Sequence, residues 1–203
     1  MSSEPSDEAA EVEETDESEE SEESARPSST EVREWRAAAM RMVRQFPDPV
    51  LRNPASEVGA FDDDVRTLVQ RLGDVMMSAH GVGLAAPQIG VSRRVLVYRA
   101  REDDDVKVLV NPRFLEKSDE TEVDTEGCLS LLGGELTVPV ERHSRIRVSA
   151  LDGEGATLEF DAEGFEARVI QHEVDHLDGV LMVDRAPQDE RRGALKELRL
   201  RAG

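Results

Sequence analysis

The chain has 203 residues and a formal net charge of −20 at pH 7, which is long enough for one domain with a buried core. Residues 1–25 contain twelve acids and no Lys or Arg, so more than half of the excess negative charge lies there. Such a segment cannot bury enough apolar surface to offset its ordering entropy, and we predict a disordered acidic tail over residues 1–27. The remainder is only moderately acidic, so its charge balance does not indicate a surface that binds DNA or other nucleic acid.

The same composition predicts the compartment. The sequence has no charged-then-apolar N-terminal signal and no apolar run near about 18 residues, so neither export nor a membrane span is expected. A single cysteine, Cys128, excludes an internal disulfide. We therefore expect a cytoplasmic protein without membrane contact.

Apolar periodicity and turn residues predict the elements in chain order. A lead-in helix over residues 28–45 precedes a proline-rich segment that should be extended and that opens the main domain, residues 46–203. A core helix, strands and a central helix follow, and a polar helix closes the chain. The predicted ranges are 65–76 for the core helix, 94–98, 106–111, 121–130, 145–150 and 157–160 for the strands, and 191–201 for the last helix. This order predicts an α+β domain with mixed or antiparallel sheets around the central helix.

The central helix carries the stretch Gln171–Gly179, which reads Q-H-E-V-D-H-L-D-G. On a helix, His172 and His176 lie within roughly 40° of each other, so both imidazoles can reach one cation. Glu173, one position along, stands where a general base for a metal-bound water is needed. The metzincin pattern H-E-x-x-H-x-x-G-x-x-H is excluded, because Met182 occupies the place of its last ligand.

The other sides of this helix follow from the same spacing. An apolar stripe that buries the helix is predicted at Ile170, Val174 and Leu177. A polar face is predicted at Arg168, Gln171 and Asp175.

Two histidines need a third ligand, and the residues alone leave three interpretations open. Cys128, in the stretch T-E-G-C-L-S, would complete a catalytic site, although a lone cysteine is most often a small buried hydrophobe. A downstream carboxylate, Glu190 or Glu197, would give a gluzincin-like peptidase. His80 or His143 would instead close a structural zinc site in a binding protein.

Three segments read together resemble the three motifs of the peptide deformylases, in the order of that family. They are G-V-G-L-A-A-P-Q from Gly81 to Gln88, E-G-C-L-S from Glu126 to Ser130, and the Gln171–Gly179 stretch. The resemblance covers roughly residues 46–185 and includes the F-P-D-P-V-L-R segment. It implies a mixed α+β fold and an enzyme that removes the N-formyl group from the initiator methionine of nascent polypeptides and releases formate.

The resemblance implies a metal centre of one divalent ion. Its ligands would be Cys128, His172 and His176, with Glu173 as the acid–base catalyst. The implied native ion is Fe(II), and Zn(II), Ni(II) or Co(II) could replace it. One thiolate and two imidazoles suit all of these ions, so spacing does not separate them.

The resemblance also implies a substrate cleft beside the metal. Gln88 and the backbone N–H of Leu129 would stabilise the oxyanion, and N-formylmethionyl peptides would be the substrates. From the residues alone, the glycine-rich segment is better explained as a tight turn between helix and strand. Walls of the cleft are predicted at Val82, Gly83, Leu129, Phe165 and Val169.

Two positions depart from the family pattern. Leu132 stands where a proline is usual, and Val140 stands where an arginine commonly follows Val-Pro, with Arg142 as the nearest substitute. These departures leave open the shape of the loop over residues 130–138 and the partner of Glu126.

The C-terminal stretch from Asp184 has a small excess of basic residues. A C-terminal helix is implicated in ribosome docking in the resembled family, so the resemblance implies a transient ribosome contact there. A solvated surface helix with paired charges is the alternative.

Overall fold

The computed structural model describes residues 28–101 and 104–201, so the predicted acidic tail lies outside the described residues. The helices are α1 (Ser29–Met40), α2 (Asp63–Ser78), α3 (Gly164–Leu177), α4 (Met182–Arg185) and α5 (Gln188–Arg201). The strands are β1 (Gly83–Ala85), β2 (Val95–Tyr98), β3 (Lys107–Lys117), β4 (Thr121–Gly127), β5 (Thr137–His143), β6 (Arg145–Leu151) and β7 (Thr157–Glu163). Short 3₁₀ turns occur at Pro49–Arg52, Ala86–Ile89 and Leu132–Gly134.

The strands form two antiparallel sheets. One has five strands in the order β1-β2-β3-β6-β7, and the other is the pair β4-β5. Helix α3 contacts strands of both sheets, and almost all of its residues from Ala167 to Leu177 are buried. The predicted α+β fold, with antiparallel sheets around the central helix and a C-terminal helix, is confirmed.

Helix α2 covers the core beside β1 and β2, and its sequence explains its position. The Asp62 side chain accepts a hydrogen bond from the Val65 N–H, a cap that is worth about 1 kcal/mol. The apolar stripe that the helix buries is Val65, Leu68, Leu72, Val75 and Met76. Helix α1 packs on α2 through Ala39, so the lead-in helix shares this core.

Several local features of the structure differ from the predictions. Helix α1 ends at Met40 rather than near residue 45. The proline-rich segment is not wholly extended: it contains the turn Pro49–Arg52, because Pro49 suits the first helical position and Asp48 accepts a hydrogen bond from Val50 N. Strand β5 was not predicted, because its pattern V-P-V contains a proline. In the β4-β5 pair, Pro139 of β5 lies opposite Thr125 of β4.

No helix in the described ranges is long and apolar enough to cross a membrane.

Candidate active site

The proposed metal ligands lie together at the centre of the fold. Cys128 directly follows β4, and His172 and His176 lie one turn apart on α3. Their ligand atoms all lie within 4.8 Å of one another, and Cys128 Sγ is 3.2 Å from His176 Nε2. This group, found among residues 28–101 and 104–201, does not include the alternative ligands His80, His143, Glu190 and Glu197.

The surroundings of the cluster fit a cation. His172 Nδ1 is 2.9 Å from the Glu126 carboxylate, which leaves its Nε2 for a metal. Within the described part of the chain, two buried side-chain atoms lack a hydrogen-bond partner, Glu173 Oε2 and His176 Nδ1. Both belong to this site. One thiolate and two imidazoles are a donor set that first-row transition metals and zinc accept.

Glu126 is the buried carboxylate that orients His172. Arg142 donates to both of its oxygens at 2.9 Å, and Arg168 donates to one at 2.8 Å. Burial alone would raise the pKa of Glu126, but hydrogen bonds from His172 and Arg142 outweigh it and hold the pKa well below its usual range. Arg142 is thus the partner of Glu126.

The second departure, Leu132, also has a structural reason. Leu132 has φ 53°, and Gly133 and Gly134 follow with φ 65° and 91°. Proline is fixed near φ −65° and cannot adopt the first of these conformations. The turn that links Cys128 to β5 therefore has its own shape, and it requires a residue other than proline at position 132.

The polar face predicted for α3 is buried rather than exposed to solvent, since Arg168, Gln171 and Asp175 are all buried. Helix α3 lies between the two sheets, so its polar side chains pair with protein groups rather than with solvent. Their partners are Glu126 for Arg168, the main chain of His143 for Gln171, and Arg142 with Arg185 for Asp175. Sequence reasoning missed these pairs; the one available signal was Arg168, which lies one turn before His172.

Glu173 lies in the cleft beside the metal ligands. Burial raises the pKa of its carboxyl group to about 7. Gly83 in β1 packs directly against it, and a Cβ atom at that position would overlap the carboxylate. The close approach explains why a glycine is needed at this point of the G-V-G-L segment.

Gln88 is held from both ends of its amide. Its Oε1 accepts a hydrogen bond from Ala85 N at 2.8 Å. Its Nε2 lies 3.2 Å from Ser130 Oγ and 3.7 Å from Cys128 Sγ. The N–H groups of the amide are therefore directed to the side of the cleft where the metal ligands lie.

These groups border a cleft of about 240 Å³. All five predicted wall residues line it, together with Gln88, Cys128, His172 and Glu173; His176 is not among the lining residues. Val82 and Phe165 are apolar yet 45% and 52% exposed, so they stand at the mouth of the cleft. Lining residues that sequence reasoning did not predict include Asp124, Thr125 and Arg168.

A buried Cys/His/His cluster with an unpaired carboxylate, in a cleft with apolar walls, is the site of a metal-dependent hydrolase. The model of the polypeptide deformylase family matches residues 40–192. The chain therefore belongs to the polypeptide deformylase family.

Curated relatives and solved structures agree with the family match. The chain is 45% identical over 150 residues to the peptide deformylase of Dictyoglomus thermophilum, covering 74% of this chain and 95% of the relative. It is 45% identical over 161 residues to that of Acidothermus cellulolyticus, covering 79% and 87%. The crystal structure of the Thermotoga maritima enzyme matches with a TM-score of 0.68 and 43% identity, covering 71% of this chain and 96% of that one. The Synechococcus elongatus enzyme in complex with actinonin matches with a TM-score of 0.70 and 38% identity, covering 76% and 84%.

The chain is thus a hydrolase that removes the N-formyl group from the initiator methionine of nascent polypeptides and releases formate. The gluzincin-like peptidase and the structural zinc module are the interpretations that the family match replaces.

Proposed function

We propose that the cleft binds N-formylmethionyl peptides and that Cys128, His172 and His176 hold the catalytic ion. The observation that carries this assignment is the ligand cluster, whose atoms lie within 4.8 Å of one another below the cleft. When bound, such an ion acts as a Lewis acid that lowers the pKa of water toward about 7 and polarises a carbonyl group.

Glu173 is the acid–base catalyst in this proposal. Its Oε2 has no hydrogen-bond partner within the described residues, and burial raises the pKa of its carboxyl group, which favours uptake of a proton from water. The carboxylate accepts the proton of the attacking water. It then returns this proton to the amine that leaves when the formyl C–N bond breaks.

Gln88 and the Leu129 N–H are the proposed donors to the oxygen that becomes negative during attack. The Gln88 amide is fixed by Ala85 before substrate binds, and its Nε2 would exchange its contact with Ser130 Oγ or Cys128 Sγ for the oxyanion. No hydrogen bond within the described residues uses the Leu129 N–H, so this donor is free for substrate. One preorganised donor of this kind is worth about 10² to 10³ in rate.

The methionine side chain is proposed to lie against the apolar walls of the cleft. Val82 and Phe165 cover it at the mouth, and Val169 and Leu129 contact it deeper inside. Gly83 lines the same cleft, and its lack of a side chain leaves room for the Glu173 carboxylate. An unbranched thioether side chain adapts well to a narrow apolar slot of this kind.

Fe(II) is our proposal for the native ion, with Zn(II), Ni(II) or Co(II) as replacements. The single thiolate with two imidazoles supports a first-row transition metal or zinc. The test is metal analysis of protein purified without oxygen, beside Cys128→Ser. We expect iron in the parent and loss of the ion from the variant on dialysis. If the anaerobically purified parent contains zinc instead, zinc is the native ion.

The proposed partner besides the peptide is the ribosome, through α5, in the cytoplasm where formylated chains are made. Several bases of α5 pair within the molecule, as Arg191 does with Asp184 and Arg201 with Glu135. Lys196 and Arg199 are exposed and form no ion pair within the described residues. Contacts to phosphates should weaken steeply with salt, so co-sedimentation with ribosomes at low and moderate salt tests this.

The decisive experiment for the proposed site is formate release from a short formyl-Met peptide by anaerobically purified protein. The matched substrate is the same peptide with an N-acetyl group, whose extra methyl the formyl site should reject. We expect formate in proportion to bound metal. Equal hydrolysis of both peptides, or cleavage of an internal peptide bond, would contradict the assignment.

A further inference from the structure

The segment that follows α1 contacts both proposed oxyanion donors. Arg44 N donates to the Gln88 carbonyl at 2.7 Å, and Phe46 N donates to the Ser130 carbonyl at 2.9 Å. Between them, the Gln45 side chain extends to the loop after Cys128. Its Nε2 donates to the Leu129 carbonyl at 2.9 Å, and its Oε1 accepts from Gly133 N at 3.3 Å.

The position of Gln45 matters because the loop that it bridges has little regular structure of its own. Strand β4 ends at Gly127, so Leu129 lies beyond the β4-β5 ladder. The turn from Leu132 to Gly134 holds three successive residues at positive φ, and for Leu132, unlike the two glycines, this conformation is unfavourable and needs support from its surroundings. One side chain joins both ends of this loop.

We propose that Gln45 is a positioning residue for the oxyanion donor at Leu129. The hydrogen bond to the Leu129 carbonyl fixes the peptide group that follows Leu129, and this limits rotation at its Cα. The preceding peptide group, which carries the Leu129 N–H, is thereby held toward the cleft. The inference rests on the proposed role of Leu129 and adds a residue outside the three sequence motifs.

Arg36 offers a matched control for the same loop. Its Nη2 donates to the Gly133 carbonyl at 3.1 Å, so it supports the turn without contacting Leu129. Both side chains are exposed, and neither contacts a metal ligand. A difference between variants at positions 45 and 36 therefore separates positioning of Leu129 from general support of the turn.

The experiment compares Gln45→Met, Gln45→Glu and Arg36→Ala with the parent enzyme, using formate release from a formyl-Met peptide. Gln45→Met has nearly the same size and removes the hydrogen bonds to Leu129 and Gly133, together with a longer one from Nε2 to the Val43 carbonyl at 3.5 Å. We expect kcat to fall about 3- to 10-fold, with KM within about twofold. The reason is that the lost hydrogen bond to the Leu129 carbonyl orients a donor that acts on the transition state. Metal content and Tm should match the parent, and Arg36→Ala should keep its kcat.

Gln45→Glu keeps the acceptor for Gly133 N and removes the donor to Leu129, so its kcat should fall as well. Measuring it at low and high salt separates the effect of the added charge, which salt screens, from the lost hydrogen bond. An unchanged kcat in both Gln45 variants would overturn the inference, as would an equal loss in Arg36→Ala. If the parent released no formate, the proposed function would fail instead, so the two failures are distinguishable.

Discussion

Two regions of the cleft differ in how their backbones are held: helix α3, with the proposed ligands His172 and His176, and the turn at Leu129, with the proposed oxyanion donor. On the first side, α3 is enclosed by two sheets, and buried ion pairs join it to β4 and β5 through Glu126, Asp175 and Arg142. On the second side, Leu129 begins an irregular turn that single hydrogen bonds from an exposed segment support.

This difference shows which functional groups tolerate little change. A metal site needs three ligands at fixed distances, and the buried network supplies that rigidity. A backbone donor needs only one oriented N–H, which a short turn provides. The turn accordingly has a conformation of its own, with Leu132 at φ 53°.

The largest effect is expected at Glu173, the proposed catalytic carboxylate, which belongs to the rigid side. Glu173→Gln keeps the size of the side chain but cannot accept the proton, so kcat should fall by about 10² to 10⁴. The metal content should stay the same, because Glu173 is not a proposed ligand. The measurement is kcat together with metal analysis; turnover near that of the parent would show that Glu173 is not the base.

A smaller loss of rate is expected on the oxyanion side. Gln88→Ala removes a donor that acts mainly on the developing negative charge, so kcat should fall by about 10² with little change in KM. Steady-state kinetics on a formyl-Met peptide measure both quantities. A change confined to KM would reassign Gln88 to binding of the ground state.

The buried network should show its importance in metal affinity and stability rather than in rate alone. Arg142→Met leaves Glu126 and Asp175 without their shared partner, and breaking a buried pair costs about 3 to 5 kcal/mol. Metal affinity should fall about 10- to 100-fold, because Glu126 orients His172. Denaturant unfolding and metal competition measure these effects. Arg147→Met, which breaks only exposed pairs, is the control and should change neither value.

The smallest effect is expected from the region that lies outside the described residues. Deleting residues 1–27 keeps Ser28, whose side chain caps α1. Because the acidic segment offers almost no apolar anchor, Tm and kcat/KM on a short peptide should be unchanged. A large drop in either quantity would reveal a contact between the tail and the folded domain.

The comparison also explains what sequence reasoning could achieve. His172, Glu173 and His176 were predictable because helical spacing places them together, and the E-G-C-L-S motif supplied Cys128. The pairing of Arg168 with Glu126 was not predictable, since periodicity gives the faces of α3 but not the elements that pack against each face. Nor was the hydrogen bond from Gln45 to Leu129, which joins positions far apart in the chain and depends on the fold of an irregular turn.

The contact between Gly83 and Glu173 limits which residues the two positions can accept together. Because any Cβ at position 83 would occupy the space of the carboxylate, a larger residue there is tolerated only after Glu173 has been displaced or shortened. The two positions are therefore epistatic: the effect of a substitution at one depends on the residue at the other, and their costs do not add. Enlarging residue 83 alone should therefore displace Glu173, the proposed base, and reduce deformylation.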